Sequence, residues 1–390
     1  MSINPIATTK SIEANYRNYL TTTFGFNDKE LQRQFNAQLM KPEKLLKGPI
    51  LEATPHFKTG MTLDGLIQEG VLSKYFYELN TNELPMDRSL YRHQEEAIRK
   101  VIEYGRNIIV STGTGSGKTE TFIIPILNYL MKELEKGTLS HGVRALLLYP
   151  MNALANDQLE RLRTLLRNFP QITFGRYTGE TREHNRNALT EYRKMYGTEP
   201  IPNELISREK MRESPPHILL TNYAMLEYLL LRPGDSIFFD GKHSRNWKFI
   251  VMDEIHTYSG ARGIETAMLL RRLKDRIYKG SSGQVQCIGT SATLGRGRDD
   301  FKQIVQFATR LFGEPFAWME GNISSQDVIE GHRIPMMQAM ISWGEPDLDI
   351  YRRLNQTIKE CPNNNCLESL IDISLDAGIP KKTVEHAQRE

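Results

Sequence analysis

The stretch STGTGSGKTE, residues 111–120, decides the fold. It follows a short apolar run, NIIVS (107–111), and opens a long pattern of helical spacing from about Lys118 to Glu135. A glycine-rich turn between a strand and a helix lets successive backbone N–H groups converge on phosphate oxygens, and the helix N-terminus adds positive potential. Gly113, Gly115 and Gly117 supply backbone conformations closed to residues with a Cβ. Thr114, Gly115, Ser116 and Gly117 are then expected to cradle phosphates. Lys118 is expected to reach the β- and γ-phosphates, and Thr119 to hold Mg2+ through its hydroxyl. Thr112 stands where the strict phosphate-loop pattern has glycine.

Outward from that loop, the chain alternates apolar runs with helical spacing. Strands are expected over 143–149 (VRALLLY), 172–177, 217–220, 249–252 and 285–289, and a helix over 262–278. After Pro150, Ala155, Leu159, Leu162 and Leu166 form one helical stripe. Pro125 inside the helix after the loop predicts a kink. Buried strands joined by helices imply a parallel sheet covered on both faces, an α/β fold, with ligands at the carboxyl ends of the strands. The first residues read as mostly helical, and NELPMD, with Pro85, as a boundary. The expected division is an accessory region over 1–87, the sheet domain over 88–320 and a partly helical linker over 321–390.

Composition narrows the class. Of 390 residues, 39% are hydrophobic and 25% charged, which excludes wholesale disorder, collagen and a disulfide scaffold. No run approaches the ~18 apolar residues a membrane span needs, and the N-terminus lacks a basic and then apolar leader. Three cysteines, Cys287, Cys361 and Cys366, fit a reducing compartment, so a cytoplasmic location is expected. Cys361 and Cys366 lack a second pair and are expected to be free thiols. The net charge is +3, but it is unevenly spread. Residues 161–194 hold eight Lys/Arg against three Asp/Glu, and residues 260–298 hold eight against two. Two basic blocks on an otherwise acidic chain suit a polyanion footprint or two solvated helix faces.

Asp253-Glu254-Ile255-His256 follows the apolar run 249–252. Paired with a phosphate loop, Asp253 is expected to hold the magnesium ion, directly or through water, and Glu254 to orient or deprotonate an attacking water. Ser291-Ala292-Thr293 closes the run 285–289 at the neighbouring strand end, where hydroxyls can bond the carboxylate loop. His256 is placed to couple nucleotide state to that turn.

Taken together and in order, these residues resemble the superfamily 2 helicases of the DExH-box class. The resemblance runs from Leu90 to Leu294. LYRHQ (90–94) is similar to the adenine-reading segment, with Gln94 in the reading position. TGTGSGKT (112–119) is similar to motif I, YPMNALANDQ (149–158) to motif Ia, and YTGE (177–180) to motif Ib. LLTNYAMLEYLL (219–230) resembles the segment that lies along the nucleic acid backbone, DEIH (253–256) motif II, and SAT (291–293) motif III. The phrasing of these segments, with LLKGPILEATPHFKTG (45–60), is closest to the large bacterial helicases with a C-terminal cysteine-rich zinc-binding module, of the mitomycin-repair and phage-defence type.

The resemblance implies a first RecA-like domain over 88–320, with ATP and Mg2+ as cofactors, and an ATP-driven helicase or translocase moving 3′ to 5′ on DNA. It also implies a second RecA-like domain supplying arginine fingers and motifs V and VI. No such array follows Thr293, so that partner is expected in cis beyond this chain or in trans. Pro150, Asn152, Thr178, Gly179, Thr221 and Asn222 match the family's strand-gripping positions. Arg163, Arg167, Arg176, Arg182 and Arg186, with Arg262 and Arg271, are candidates to face phosphates, which would position a strand without reading its sequence. Tyr177 and Tyr223 are open between base stacking and core packing. Two other functions stay open: a duplex translocase of a defence complex that does not separate strands, and a binding module that hydrolyses nothing.

Overall fold

The computed structural model describes residues 5–41, 45, 56–79, 83–113, 115–278, 285–292, 298–334, 348–360 and 367–376. Thr114, Thr293, Cys361 and Cys366 lie outside the described residues. The chain divides into two compact units, residues 1–55 and 56–390.

The first unit holds helices α1 (Pro5–Thr23) and α2 (Lys29–Leu39). Asp28 caps α2, its carboxylate accepting from the N–H groups of Glu30 and Leu31 at 2.9 Å. Phe26 and Phe35 meet edge to face at 5.5 Å.

The second unit begins with β1 (Thr59–Thr62), α3 (Leu63–Gln68), β2 (Ser89–Tyr91) and α4 (Arg92–Ile102). The phosphate-loop region supplies β3 (Ile108–Ser111) and α5 (Glu120–Glu135), which runs through Pro125 as one helix. Then come β4 (Ala145–Tyr149), α6 (Asn152–Leu165), β5 (Phe174–Arg176), α7 (Asn185–Tyr196), α8 (Arg208–Glu213), β6 (Ile218–Asn222) and α9 (Tyr223–Leu231). β7 (Phe249–Met252), α10 (Gly260–Tyr278), β8 (Gln286–Ser291), α11 (Phe301–Phe312) and β9 (Val328–Glu330) follow, with α12 (Leu348–Glu360) and α13 (Leu367–Asp376) last.

Among the described residues, seven strands make one parallel sheet in the order β5-β6-β4-β7-β8-β3-β9. Side chains alternate between its faces along each strand. Ile108, Val110, Ala145, Leu147, Tyr149, Phe249 and Val251 pack under α4, α5 and α6. Ile109, Leu146, Leu148, Ile250, Met252 and Cys287 pack under α9, α10 and α11. Continuous apolar strands covered on both faces are the expected α/β architecture, and all six expected strands are present within a few residues of their expected bounds.

Three differences concern the segments flanking the expected 88–320 domain. Leu63, Leu66, Phe76 and Leu79, from the expected accessory region, are buried in the same core as β3 and α5. The mostly helical character expected of residues 1–87 is broken within 64–79, because Gly70 turns into the left-handed region at φ 77° and a 3-10 helix follows over Lys74–Leu79. From the expected linker, Val328–Glu330 pairs with β3 as β9, and Ile329 joins the core. Among the described residues, no helix is long and apolar enough to cross a membrane.

Candidate nucleotide and strand-binding site

Sheet order builds the site. β3, β8 and β7 are neighbours, so the loop after β3, the turn ending β8 and the carboxylates after β7 leave the sheet side by side at its carboxyl edge. Lys118 Nζ lies 4.0 Å from Glu254 Oε1 across this edge.

Within the phosphate loop, Lys118 Nζ donates to the carbonyls of Thr112 at 3.1 Å and Gly113 at 3.3 Å. Thr112 Oγ1 and Ser116 Oγ share a 2.5 Å hydrogen bond. Gly117 takes φ 69°, and a Cβ there would run into the Gln94 amide, so both conformation and space require glycine. Gln94 is buried with both ends of its amide engaged. Its Nε2 donates to Gly117 O at 2.9 Å, and its Oε1 accepts from Tyr91 N at 2.8 Å. His93, which sequence reading missed, donates from Nε2 to Ser116 O at 2.9 Å, and burial holds its pKa below the usual histidine value. Gln94 and His93 thus brace the loop from α4.

On the carboxylate side, Asp253 Oδ1 accepts from Glu254 N at 3.1 Å and from the Thr290 hydroxyl. Thr290 was also missed. It is the residue before the expected Ser-Ala-Thr triplet, and alternation along β8 turns it to the Asp253 side. Burial raises the Asp253 pKa above its ordinary value, opposed by the Thr290 bond and assisted by the Glu254 charge. Glu254 sits at φ 50°, the one non-glycine with positive φ among the described residues. His256 Nδ1 is 3.0 Å from Ser291 Oγ and 3.3 Å from Glu254 Oε2, so it bridges the motif II carboxylate and the end of β8. Ala292 follows Ser291 at that turn.

A magnesium ion fits the donors present. The Thr119 hydroxyl and Asp253 carboxylate are hard oxygen ligands on facing loops, and Gln158 Nε2 reaches Thr119 Oγ1 at 3.5 Å. Among the described residues, no group of three or more His, Cys, Asp or Glu could hold a metal by itself.

The strand-side residues divide. Asn152, Asn222 and Glu180 form one chain at the surface: Asn222 Nδ2 donates to Asn152 Oδ1 at 2.9 Å, and Asn152 Nδ2 to Glu180 Oε1 at 3.0 Å. Gly179 is exposed, Pro150 half-buried. The Thr178 and Thr221 side chains are buried, Thr221 Oγ1 donating to Tyr177 O at 2.6 Å. Tyr177 is core: its hydroxyl donates to Asp235 Oδ1 at 2.7 Å and accepts from Arg212 at 2.9 Å. Tyr223 is half-buried, with its hydroxyl 3.2 Å from Glu265 and the Arg262 guanidinium 5.6 Å from its ring. Arg163 is a structural residue rather than a phosphate contact, because both its arms hold Glu204 at 2.7 Å beside the Tyr196 ring. Arg176 pairs with Glu180 at 2.8 Å and Arg182 with Glu191 at 2.5 Å, so neither charge is uncompensated. Arg167, Arg186, Arg262 and Arg271 are exposed.

Residues 91–301 match the DEAD/DEAH box helicase family. The chain belongs to that family. The ordered motifs from LYRHQ to SAT carried this resemblance, and the match spans them. This DEAD/DEAH box chain is 30% identical to Druantia protein DruE of Escherichia coli, over 82% of its own length and 22% of that protein. It is 32% identical to ATP-dependent helicase Lhr-Core of Methanothermobacter thermautotrophicus over 50% of its length and 20% of that protein. The crystal structure of the helicase MrfA bound to DNA and AMPPNP superposes with a TM-score of 0.51 at 25% identity, covering 73% of this chain and 32% of that one. The fold is therefore the RecA-like helicase domain, and the chain spans about a fifth of the length of these two curated relatives.

Proposed function

We propose that the chain is the first motor domain of an ATP-dependent DNA helicase or translocase moving 3′ to 5′, which binds Mg2+–ATP and part of a single strand. The observation that carries this reading is the convergence of Lys118 and Glu254, 4.0 Å apart, from two strand ends with β8 between them. In this reading Thr112, Gly113 and the rest of the loop receive the phosphates, and Lys118 leaves its two carbonyl partners for phosphate oxygens. Thr119 and Asp253 hold the metal, which when bound neutralises charge on the phosphates. Glu254 orients the attacking water and takes its proton. His256, in contact with both Glu254 and Ser291, passes the state of the carboxylate loop to the turn after β8. Asn152, Gly179 and Asn222 face the strand. A second RecA-like domain would close the cleft and supply arginine fingers, which are worth roughly 10³–10⁵ in turnover. The chain by itself is accordingly a weak ATPase.

Calorimetry and turnover test this. Lys118→Ala should abolish ATP binding. In the complete protein, Glu254→Gln should bind ATP as wild type does and lose about 10²–10⁴-fold in DNA-stimulated turnover. Near-wild-type turnover in Glu254→Gln would remove the role given to Glu254. Because the Gln94 amide already spans Tyr91 and Gly117, equal affinity for ATP and GTP would limit Gln94 to bracing the loop.

A further inference from the structure

Two polar groups beside the expected metal ligands are left over. β4 and β7 are parallel neighbours with Leu148 opposite Met252, so Tyr149 and Asp253 come next at the same level. Tyr149 shares a face with Phe249 and Val251, and alternation sends Asp253 to that face as well. Asp253 is thereby flanked, with Thr290 donating from β8 on one side and the Tyr149 phenol on the β4 side. Tyr149 is 1% exposed, and its hydroxyl has no hydrogen-bond partner among the described residues. Its charged neighbours are Asp253 and Arg161. On α6, Gln158 donates to Thr119 Oγ1 at the long limit of 3.5 Å, while its Oε1 is buried without a partner among the described residues. A buried polar atom without a partner calls for an explanation, and a bound water or ion is one of them. Here one such atom belongs to Tyr149, at the level of Asp253 on the neighbouring strand, and the other to Gln158, whose amide reaches Thr119.

We propose that Tyr149 and Gln158 are positioning residues for a hydrated divalent cation, Tyr149 bonding to the hydration shell on the Asp253 side and Gln158 accepting from a water on the Thr119 side. This rests on the reading of the site as a Mg2+–nucleotide site and adds to it the groups that orient the hydrated ion. Magnesium dehydrates reluctantly, so its bound waters donate outward and need acceptors held in place. A phenol and an amide carbonyl fixed on one strand–helix unit meet that need without touching the ion. Outer groups of this kind tune metal affinity rather than create it.

The test is titration of a fluorescent ATP analogue into the chain, with EDTA and with Mg2+, for wild type, Tyr149→Phe and Gln158→Met. Each substitution should cut the Mg2+-dependent gain in affinity by roughly 10-fold and leave affinity in EDTA unchanged. Thermal unfolding of Tyr149→Phe without metal should occur at or above the wild-type temperature, since the lost hydroxyl had no partner. A full Mg2+ gain in both variants overturns the proposal. So does a fall in EDTA affinity or in the unfolding temperature of Tyr149→Phe, which would make the hydroxyl structural. A wild-type chain that gains affinity from Mg2+, with variants that match it, leaves the nucleotide-site reading standing. A wild type that binds no nucleotide in either condition overturns both.

Discussion

At the residue scale, Glu254 joins a chemical demand to a conformational one. It occupies the left-handed region at φ 50°, where an L side chain costs roughly 1–2 kcal/mol. Residues held in this way cluster at functional sites and persist because their surroundings over-determine them. Here the surroundings are Asp253 Oδ1 and Thr290 Oγ1 on the Glu254 N–H, at 3.1 and 3.4 Å, and Thr257 Oγ1 donating to its carbonyl at 2.8 Å. Glycine relieves the strain and alanine does not. Glu254→Gly should therefore be more stable than Glu254→Ala by about 1 kcal/mol in urea unfolding, although both lack the carboxylate. Equal stabilities would show that the backbone there carries no strain. Lys118, Asp253 and Glu254 were singled out in the sequence as candidates because a phosphate loop and a strand-end carboxylate pair have few other uses together, and the fold brings Lys118 within 4.0 Å of Glu254. Thr290 and His93 were not, because a lone threonine or histidine acquires meaning only when the fold sets it against Asp253 or Ser116.

At the element scale, the basic block 161–194 reads differently once its partners are in place. Arg163 meets Glu204, which lies 41 residues on, and no pattern in the sequence announces that pairing. Arg176 and Arg182 meet Glu180 and Glu191, so part of the block's charge is compensated within the chain, at the surface between β5 and α7. Glu204 is buried and Arg163 partly so, and removing the arginine would leave the Glu204 charge stranded in the core. Arg182–Glu191 is exposed on both partners, and exposed pairs are weak enough for a phosphate to compete for the arginine. Replacing Glu180 and Glu191 together with Gln should then strengthen single-stranded DNA binding by the chain. It should also steepen the log–log salt dependence by about 0.7 for each arginine released to a phosphate. Titrations at several salt concentrations read the slope. An unchanged slope would mean that α7 and β5 lie off the strand's path and that Asn152, Gly179 and Asn222 hold it without them.

At the scale of the whole molecule, the strands were readable because buried parallel strands are continuous apolar runs, and the candidate site residues stood out because polar residues collect at the carboxyl ends. What was not readable is where the folding unit begins. β9 is three residues long and ends in Glu330, too short for a periodic signal. Residues 1–87 read as a separate piece because Pro85 marks a boundary, yet Leu63, Leu66, Phe76 and Leu79 are at most 1% exposed within the core beside α5. Ser73 ties the same segment to α5, its N–H donating to Asn128 Oδ1 at 2.8 Å. Burying each such apolar side chain is worth roughly 1.5–3 kcal/mol, so four together approach the ~5–15 kcal/mol by which a domain is stable. The units divide at residue 55, and that division sets the outcome of trimming the N-terminus. A chain starting at His56 should unfold in one cooperative transition, and its affinity for Mg2+–ATP should match that of the full chain. A chain starting at Arg88 should be largely unfolded or aggregated, because α5 would present the apolar face that those leucines and Phe76 cover. Circular dichroism melts and nucleotide titration on the two truncations decide the matter. A stable, nucleotide-binding fragment from Arg88 would show that residues 56–87 only decorate a domain complete without them.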